Sequence, residues 1–200
     1  MNKKQIQSEQ TRKKIAEAAR NLFVQKGYKA TSIEEITAAT GSSKGNLYYH
    51  FKSKEGLFLY LLDEWDREWI AKWKEKEHLY TTSADKMYGF AEQMVREDLN
   101  HPLTKAADEF FTGDDKTCEV EDRIAEMVAE HLSFNRTLIQ QGVDRGEFRA
   151  TDVQSLAIVL EALVIGLSKI CPRIDITQAL DTYRLAIQVF LHGIAAKPES

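Results

Sequence analysis

The stretch that decides the fold, residues 31–54, reads TSIEEITAATGSSKGNLYYHFKSK and contains two short helical patterns separated by a break. Ser32 followed by Glu35 is a capping box, which marks the start of a helix. Gly41 is the residue type at which a helix ends and the chain turns. Ser43 then has a side chain that favours the N-cap of a second helix. The stretch therefore predicts a helix-turn-helix.

The second of these helices has two very different sides. Leu47 and Phe51 share one face at helical spacing, and we expect that face to be buried. Gly45 costs about 1 kcal/mol relative to alanine within a helix, so its presence suggests the close approach of another backbone. The outward side chains are polar, basic or aromatic: Lys44, Asn46, Tyr48, Tyr49 and His50. Such a surface is typical of a helix that reads DNA.

Residues 43–55, SKGNLYYHFKSKE, preceded by GYKATS at 27–32, resemble the TetR family of bacterial transcriptional regulators. The resemblance implies an all-α protein with a helix-turn-helix DNA-binding domain over residues 1–53 and a ligand-binding and dimerisation domain over residues 54–200. It also implies a homodimeric repressor that leaves a palindromic double-stranded DNA operator when a small-molecule effector binds. The predicted DNA-binding residues are Ser32, Ser43, Lys44, Gly45, Asn46, Tyr48, Tyr49, His50 and Lys54.

Charge is distributed unevenly along the chain. The 200 residues carry a net charge of −4, yet residues 1–55 hold 11 basic and 5 acidic side chains, against 16 and 26 in the remainder. We call the basic residues 1–55 the head and the acidic remainder the body. This distribution would concentrate the attraction for phosphates at the head. A lysine-rich surface that is only solvated and binds nothing would have the same composition. The two cysteines form no redox or ligand motif, and no signal peptide is visible, so we expect a cytoplasmic protein.

Helical periodicity predicts about nine helices and no strands. A polar arm is expected over residues 1–9. The predicted helices are Ser8–Lys26, the two helices of the helix-turn-helix, Lys54 to about Glu77, one capped by Ser83, Pro102–Gly113, Thr117 to about Arg145, Asp152–Ile170, and one that begins at Ile176 and frays past Gly193. Asp114, Asp115 and Lys116 are expected in a charged loop, and Pro172 is expected in the last turn.

Three tryptophans, Trp65, Trp69 and Trp73, follow one another at helical spacing. Core packing explains such a pattern as well as a binding pocket does. Residues 40–77 further resemble the QacR-type multidrug-binding repressors, which implies that Trp69 lines a pocket. In that group acidic residues stand at the positions of Trp65 and Asp66, so one acid is kept here and one is lost. We therefore expect a lipophilic aromatic effector, more cationic than anionic. The predicted ligand-binding residues are Trp65, Asp66, Trp69, Trp73, Met94, Phe110, His131 and Phe134.

The segment 153–170 is apolar nearly all round but is interrupted by Glu161 and Lys169, which makes it too polar for a membrane span. Such a helix predicts pairing of the last two helices with a second copy of the chain. The predicted dimer-interface residues are Leu156, Leu160, Leu163, Leu167, Ile187 and Phe190.

Other functional classes have weaker support in the sequence. The five histidines never pair at i, i+3 or i, i+4, so a metal site would have to be assembled from distant helices. No cofactor motif and no catalytic constellation is present, which argues against an enzyme. Cys118 as a redox switch has only Lys116 and Arg123 as basic neighbours. An all-helical dimer whose head binds a protein instead of DNA stays open as the alternative.

Overall fold

The computed structural model describes residues 3–113, 116–149, 152–171 and 174–194. Within these ranges the chain forms nine α-helices and no strand, as the periodicity predicts. The helices are α1 (Lys3–Lys26), α2 (Ile33–Thr40), α3 (Lys44–Phe51), α4 (Lys54–Lys76), α5 (Ser83–Gln93), α6 (Thr104–Phe111), α7 (Cys118–Asp144), α8 (Val153–Ile170) and α9 (Ile176–Ile194). A short 3₁₀-helix (Glu77–Leu79) follows α4, and a π-helix (Met94–Asp98) continues α5.

Packing divides the chain into two units, each of which draws on α4 and α7. The first comprises Met1–Glu68 with Pro102–Arg123, and the second comprises Trp69–His101 with Ile124–Ser200. These packing units do not test the boundary that the sequence analysis placed between residues 53 and 54, so the division into a DNA-binding and a ligand-binding domain stays a prediction.

The core of the first unit joins the three N-terminal helices to α4 and α6. Phe23 and Phe58 pack edge to face with their ring centroids 4.9 Å apart, and Phe110 from α6 packs on Phe58 and Tyr28. Ile36 and Leu47 are fully buried. Buried aromatic rings of this size contribute much of the stability of a small domain, because each removes a large apolar area from water. The helix-turn-helix is therefore supported by α4 and α6.

The second unit has a core built mainly by α5, α8 and α9. Met87, Leu160 and Tyr183 are buried there, together with Ile187 and Phe190. Gly142 on α7 is required for this packing, since a Cβ at that position would lie 2.1 Å from the ring of Phe148. Lys86 is 8% exposed, and its ammonium bonds Glu77 (2.6 Å) and Gln141 (2.9 Å), which satisfies its buried charge.

Several helix boundaries differ from the sequence predictions. Residues 3–9 belong to α1, so the predicted arm is wrong over those residues. Thr82, not Ser83, caps α5: its side chain accepts from the Asp85 N–H, and the Asp85 side chain accepts from the Thr82 N–H. Two adjacent hydroxyl residues offer the same capping chemistry, and the helix starts after the one with extended backbone angles. Residues 114, 115 and 172, predicted in turns, lie outside the described residues.

Candidate DNA-binding and effector-binding sites

Hydrogen bonds at the helix ends build the helix-turn-helix as its sequence predicts. Ser32 and Glu35 form the capping box of α2, and Gly41 ends that helix in the left-handed conformation, with φ of 65°. The Ser43 hydroxyl accepts from the Asn46 N–H and caps α3. Ser32 and Ser43 thus have a structural role in addition to any contact with DNA.

The outward face of α3 is largely exposed to solvent. Tyr49 is 78% exposed and Tyr48 is 47% exposed, whereas Leu47 on the opposite face is buried. A Cβ at Gly45 would approach only the Ser43 hydroxyl oxygen, at 3.7 Å, among the described residues. Internal packing therefore does not explain the glycine, and its space is available to a partner molecule.

Two lysines in the head are engaged with neighbouring side chains. Lys44 pairs with Glu34, and this hydrogen bond raises the pKa of Lys44 and lowers the pKa of Glu34. Exposed pairs of this kind contribute little stability, so Lys44 can exchange Glu34 for a phosphate. The Lys54 ammonium lies 4.3 Å from the centre of the Tyr28 ring. Partial burial lowers the pKa of Lys54.

An unusual turn joins α3 to α4. Lys52 has φ of 64° and ψ of −41°, and the Ser53 N–H donates to the Phe51 carbonyl over 2.7 Å. This is a γ-turn with positive φ, which is rare and strained for a residue with a side chain. A Cβ at Gly56 would lie 2.1 Å from the Phe51 carbonyl oxygen. Gly56 thus allows the tight junction between α3 and α4.

The second unit contains the aromatic cluster, which we define as Trp69, Trp73, Tyr80, Phe90 and Phe134. Three of its rings form a stack, with Trp73 between Trp69 and Tyr80. The Trp73 ring centroid lies 6.1 Å from that of Trp69 and 5.7 Å from that of Tyr80. Phe90 and Phe134 meet both indole rings edge to face. Trp73 is fully buried and Trp69 partly so. Trp73 therefore fills the core, and Trp69 is the indole closer to solvent.

The remaining predicted ligand residues do not all join this cluster. Trp65, Asp66 and Phe110 belong to the first unit, and Phe110 is buried against Tyr28 and Phe58. Met94 is partly buried and packs against the core of the second unit.

His131 is largely exposed, and its Nδ1 lies 3.3 Å from Glu161. Glu161 also accepts from buried Asn135 over 2.8 Å. No group of three His, Cys, Asp or Glu side chains suited to a metal ion occurs in the described ranges.

Three of the predicted dimer-interface residues are wrong because they are buried in the single chain, and the three that are only partly buried stay a prediction. Leu160, Ile187 and Phe190 are buried in the core of their own unit, and Leu156, Leu163 and Leu167 pack against that core. The apolar side chains that face outward from α8 and α9 are others: Ile158, Val159, Ile165, Leu185 and Val189. An apolar helix offers candidates on every side, and contacts between α8 and its neighbours select which side is internal.

Among the described helices, α8 is the one long and apolar enough to cross a membrane, and 17% of it is buried. This is weak support for a span, because core helices of soluble proteins meet the same criterion. Ile158, Val159 and Ile165 of α8 are nevertheless exposed in the single chain.

Comparison with known proteins connects both units to one group of regulators. Residues 15–61 match the family described as bacterial regulatory proteins, tetR family, and residues 65–196 match the C-terminal region of QacR-like proteins. The chain belongs to the TetR family. It is 30% identical over 182 residues to the HTH-type transcriptional regulator QacR of Staphylococcus aureus, covering 91% of this chain and 97% of that protein.

Solved structures of TetR-family regulators share the fold. One from Rhodococcus sp. aligns with a TM-score of 0.74 at 25% identity, covering 91% of this chain and 99% of the other. One from Mesorhizobium loti aligns with a TM-score of 0.77 at 20% identity, covering 94% and 98%. As a TetR-family member the protein is a DNA-binding transcriptional regulator, which removes the basis for a protein-binding head without DNA. TetR-family members are regulators and not enzymes.

Proposed function

We propose that the protein is a cytoplasmic homodimeric repressor, released from a palindromic operator by a small lipophilic aromatic effector with a preference for cations. The observation that carries the proposal is the pairing of an exposed, polar and aromatic α3 face with a cluster of five aromatic rings in the QacR-like region. The first can contact DNA, and the second can receive a flat ligand. Such a ligand releases DNA by binding better to the conformer that does not fit the operator.

The DNA contacts proposed for the head divide into two kinds. Phosphate contacts are assigned to four residues of α3 and the start of α4, namely Lys44, Tyr49, His50 and Lys54. Lys44 and Tyr49 are exposed, whereas His50 and Lys54 are partly buried. Asn46 approaches a base edge, where its amide can pair with a purine.

Two substitutions in the head should have different effects. Lys54→Ala should weaken binding to all sequences about equally and reduce the salt dependence by about one unit. Asn46→Ala should relax the preference at one base pair, by about 1–3 kcal/mol. Gel shifts at several salt concentrations, with operator and single-base operator variants, measure both effects. Binding like that of the parent by both proteins would contradict these contacts.

The effector proposal rests on the aromatic cluster and on Asp66. Indole faces attract flat delocalised cations by about 0.5–2 kcal/mol per contact. Asp66 is partly buried and is the acid that the resemblance retains. Met94 lies near the cluster in sequence and can adapt to ligands of different shape.

The test of the effector class uses dyes of matched size that are cationic, neutral or anionic. Cationic dyes should quench tryptophan fluorescence and release operator DNA at the lowest concentrations, and Asp66→Asn should weaken the cations selectively. Trp69→Ala should change the order of affinities, whereas a purely structural tryptophan would lower stability and leave that order intact. Release by anionic or aliphatic compounds alone would overturn the cationic preference and leave the regulator assignment standing.

Homodimerisation is proposed through the outward apolar surface of α8 and α9, which we call the pairing face and define as Ile158, Val159, Ile165, Leu185 and Val189. These side chains are 44–64% exposed in the single chain. Large exposed apolar side chains on two neighbouring helices are typical of an interaction site. A palindromic operator requires two heads, so a symmetric interface between two copies fits both observations.

A further inference from the structure

Two buried polar atoms beside the aromatic cluster have no hydrogen-bond partner among the described residues. They are Nε1 of Trp69 and Oε1 of Gln93, and they make up half of the four such side-chain atoms found in the described chain. A buried polar atom without a partner destabilises the folded state, because its hydrogen bond to water is lost and not replaced. Trp69 and Gln93 are joined by a hydrogen bond from the Gln93 amide to the Trp69 carbonyl, so two such atoms on one bonded pair of residues require an explanation.

The orientation of the Gln93 amide follows from its one bond. Its Nε2 donates to the Trp69 carbonyl over 2.8 Å, and a carbonyl can only accept, so the amide nitrogen must face Trp69. The oxygen is then the atom left over. Gln93 is 0% exposed, so water at the protein surface does not reach this oxygen.

A π-helix follows Gln93, and a cleft adjoins Tyr80 of the aromatic cluster. Directly after Gln93 the helix continues as the five-residue π-helix Met94–Asp98. Such wide turns are rare within helices and occur mostly at functional sites. Tyr80 covers the outer end of the indole stack, next to a cleft of about 280 Å³ lined by Tyr88 and Glu92. This volume is below the roughly 300–1,000 Å³ of drug-sized sites, so a ligand must move side chains to enter.

A second cleft of about 500 Å³ is larger but has no aromatic wall in the described chain. It is lined by Ser133, Arg136, Thr137, Gln140, Gln141, Asp144 and Val153. Its polar lining does not suit a flat apolar ring, so the aromatic cluster is the better candidate.

We propose that Gln93 and Trp69 form the polar subsite of the effector pocket, and that the effector is a planar heteroaromatic molecule with a hydrogen-bond donor and an acceptor on its edge. This inference rests on the proposed function and specifies its ligand. The donor satisfies Gln93 Oε1, the acceptor receives the Trp69 Nε1–H, and the ring packs among the aromatic side chains. Sequence reasoning missed Gln93, because a glutamine inside an amphipathic helix resembles any solvated residue.

Two phenothiazinium dyes test the donor separately from charge. Thionine carries exocyclic amino groups and a ring nitrogen, whereas methylene blue has the same ring and charge but fully methylated amines without N–H donors. Direct binding to the dimer, measured by equilibrium dialysis, should favour thionine by about tenfold, the effect of one good hydrogen bond to a buried acceptor. Gln93→Met, which keeps the length of the side chain but removes the amide, should weaken thionine to the level of methylene blue and leave methylene blue unchanged.

Trp69→Phe is the second variant. If Gln93→Met unfolds, Trp69→Phe tests whether this pair of residues forms the polar subsite. It removes the indole N–H and keeps an aromatic ring, so both dyes should weaken together while thionine stays preferred. Equal binding of the two dyes to the parent, a thionine preference that survives in Gln93→Met, or no binding of either dye at millimolar concentration would each overturn the subsite.

Operator release, measured separately, distinguishes this inference from the proposed function. Gln93-dependent binding without release would support the subsite and remove the effector-released repressor. Release by both dyes with no dependence on Gln93 would overturn the subsite and support the effector-released repressor.

Discussion

Charging the pairing face should convert the protein into a folded monomer that binds its palindromic operator at least about 100-fold more weakly. The double variant Val159→Glu/Val189→Glu places two carboxylates from each copy in an apolar interface, and burying unpaired charges there costs several kcal/mol. Both valines are exposed in the single chain, at 47% and 64%, so the fold itself should tolerate the change. The affinity falls because each head then binds a half-site alone, without the 10²–10⁴-fold gain of linked binding.

Sedimentation and gel shifts measure this result, and two further variants serve as controls. Val128→Glu adds a carboxylate at another exposed valine, 39% exposed on α7, and should leave the dimer intact. Leu160→Glu charges a fully buried leucine on the inner side of α8 and should unfold the chain instead of separating two folded copies. A double variant that sediments as a dimer at micromolar concentration would show that the copies pair elsewhere.

Gly45 and Gly56 should respond to substitution by alanine in opposite ways. Gly45→Ala should raise the free energy of unfolding by about 0.5–1 kcal/mol, because alanine favours the helix and the added methyl group meets no close atom in the described chain. Operator binding should nevertheless weaken about tenfold, since the methyl group occupies the space through which DNA approaches α3.

Gly56→Ala should destabilise the protein by about 1–3 kcal/mol, because its Cβ would overlap the Phe51 carbonyl oxygen at 2.1 Å. Urea unfolding and gel shifts on the same samples separate the two cases. If Gly45→Ala binds the operator as tightly as the parent, nothing approaches α3 at that position, and the proposed docking of this helix is wrong.

Local chemistry explains why so much of the head could be predicted from the sequence. Caps such as Ser32, Ser43 and Gly41 act on the backbone within four residues, so their effect does not depend on distant parts of the chain. The buried pair Leu47 and Phe51 follows from helical spacing alone. The motif of residues 43–55 carried the family, which the comparisons confirm over both units.

The effector and dimer sites depended on contacts that sequence spacing does not contain. Phe110 packs with Tyr28 in the first unit, which its position in the sequence does not indicate. Gln93 becomes a candidate binding residue only because its amide donates to the Trp69 carbonyl. A glutamine on a helix gives no sign of burial until its neighbours are known.

The sequence by itself determined an all-helical chain with a helix-turn-helix, because capping and helical periodicity are local properties of the chain. The resemblance of residues 43–55 indicated the TetR family, which the comparisons confirm. Only the tertiary structure decided that Leu160 faces inward and Val159 outward on α8. Both residues are apolar, and a helix that is apolar on every side has no periodicity to reveal its buried face. The packing of α9 and α5 around the core made that choice, and it moved the proposed pairing surface to the opposite side of the helix.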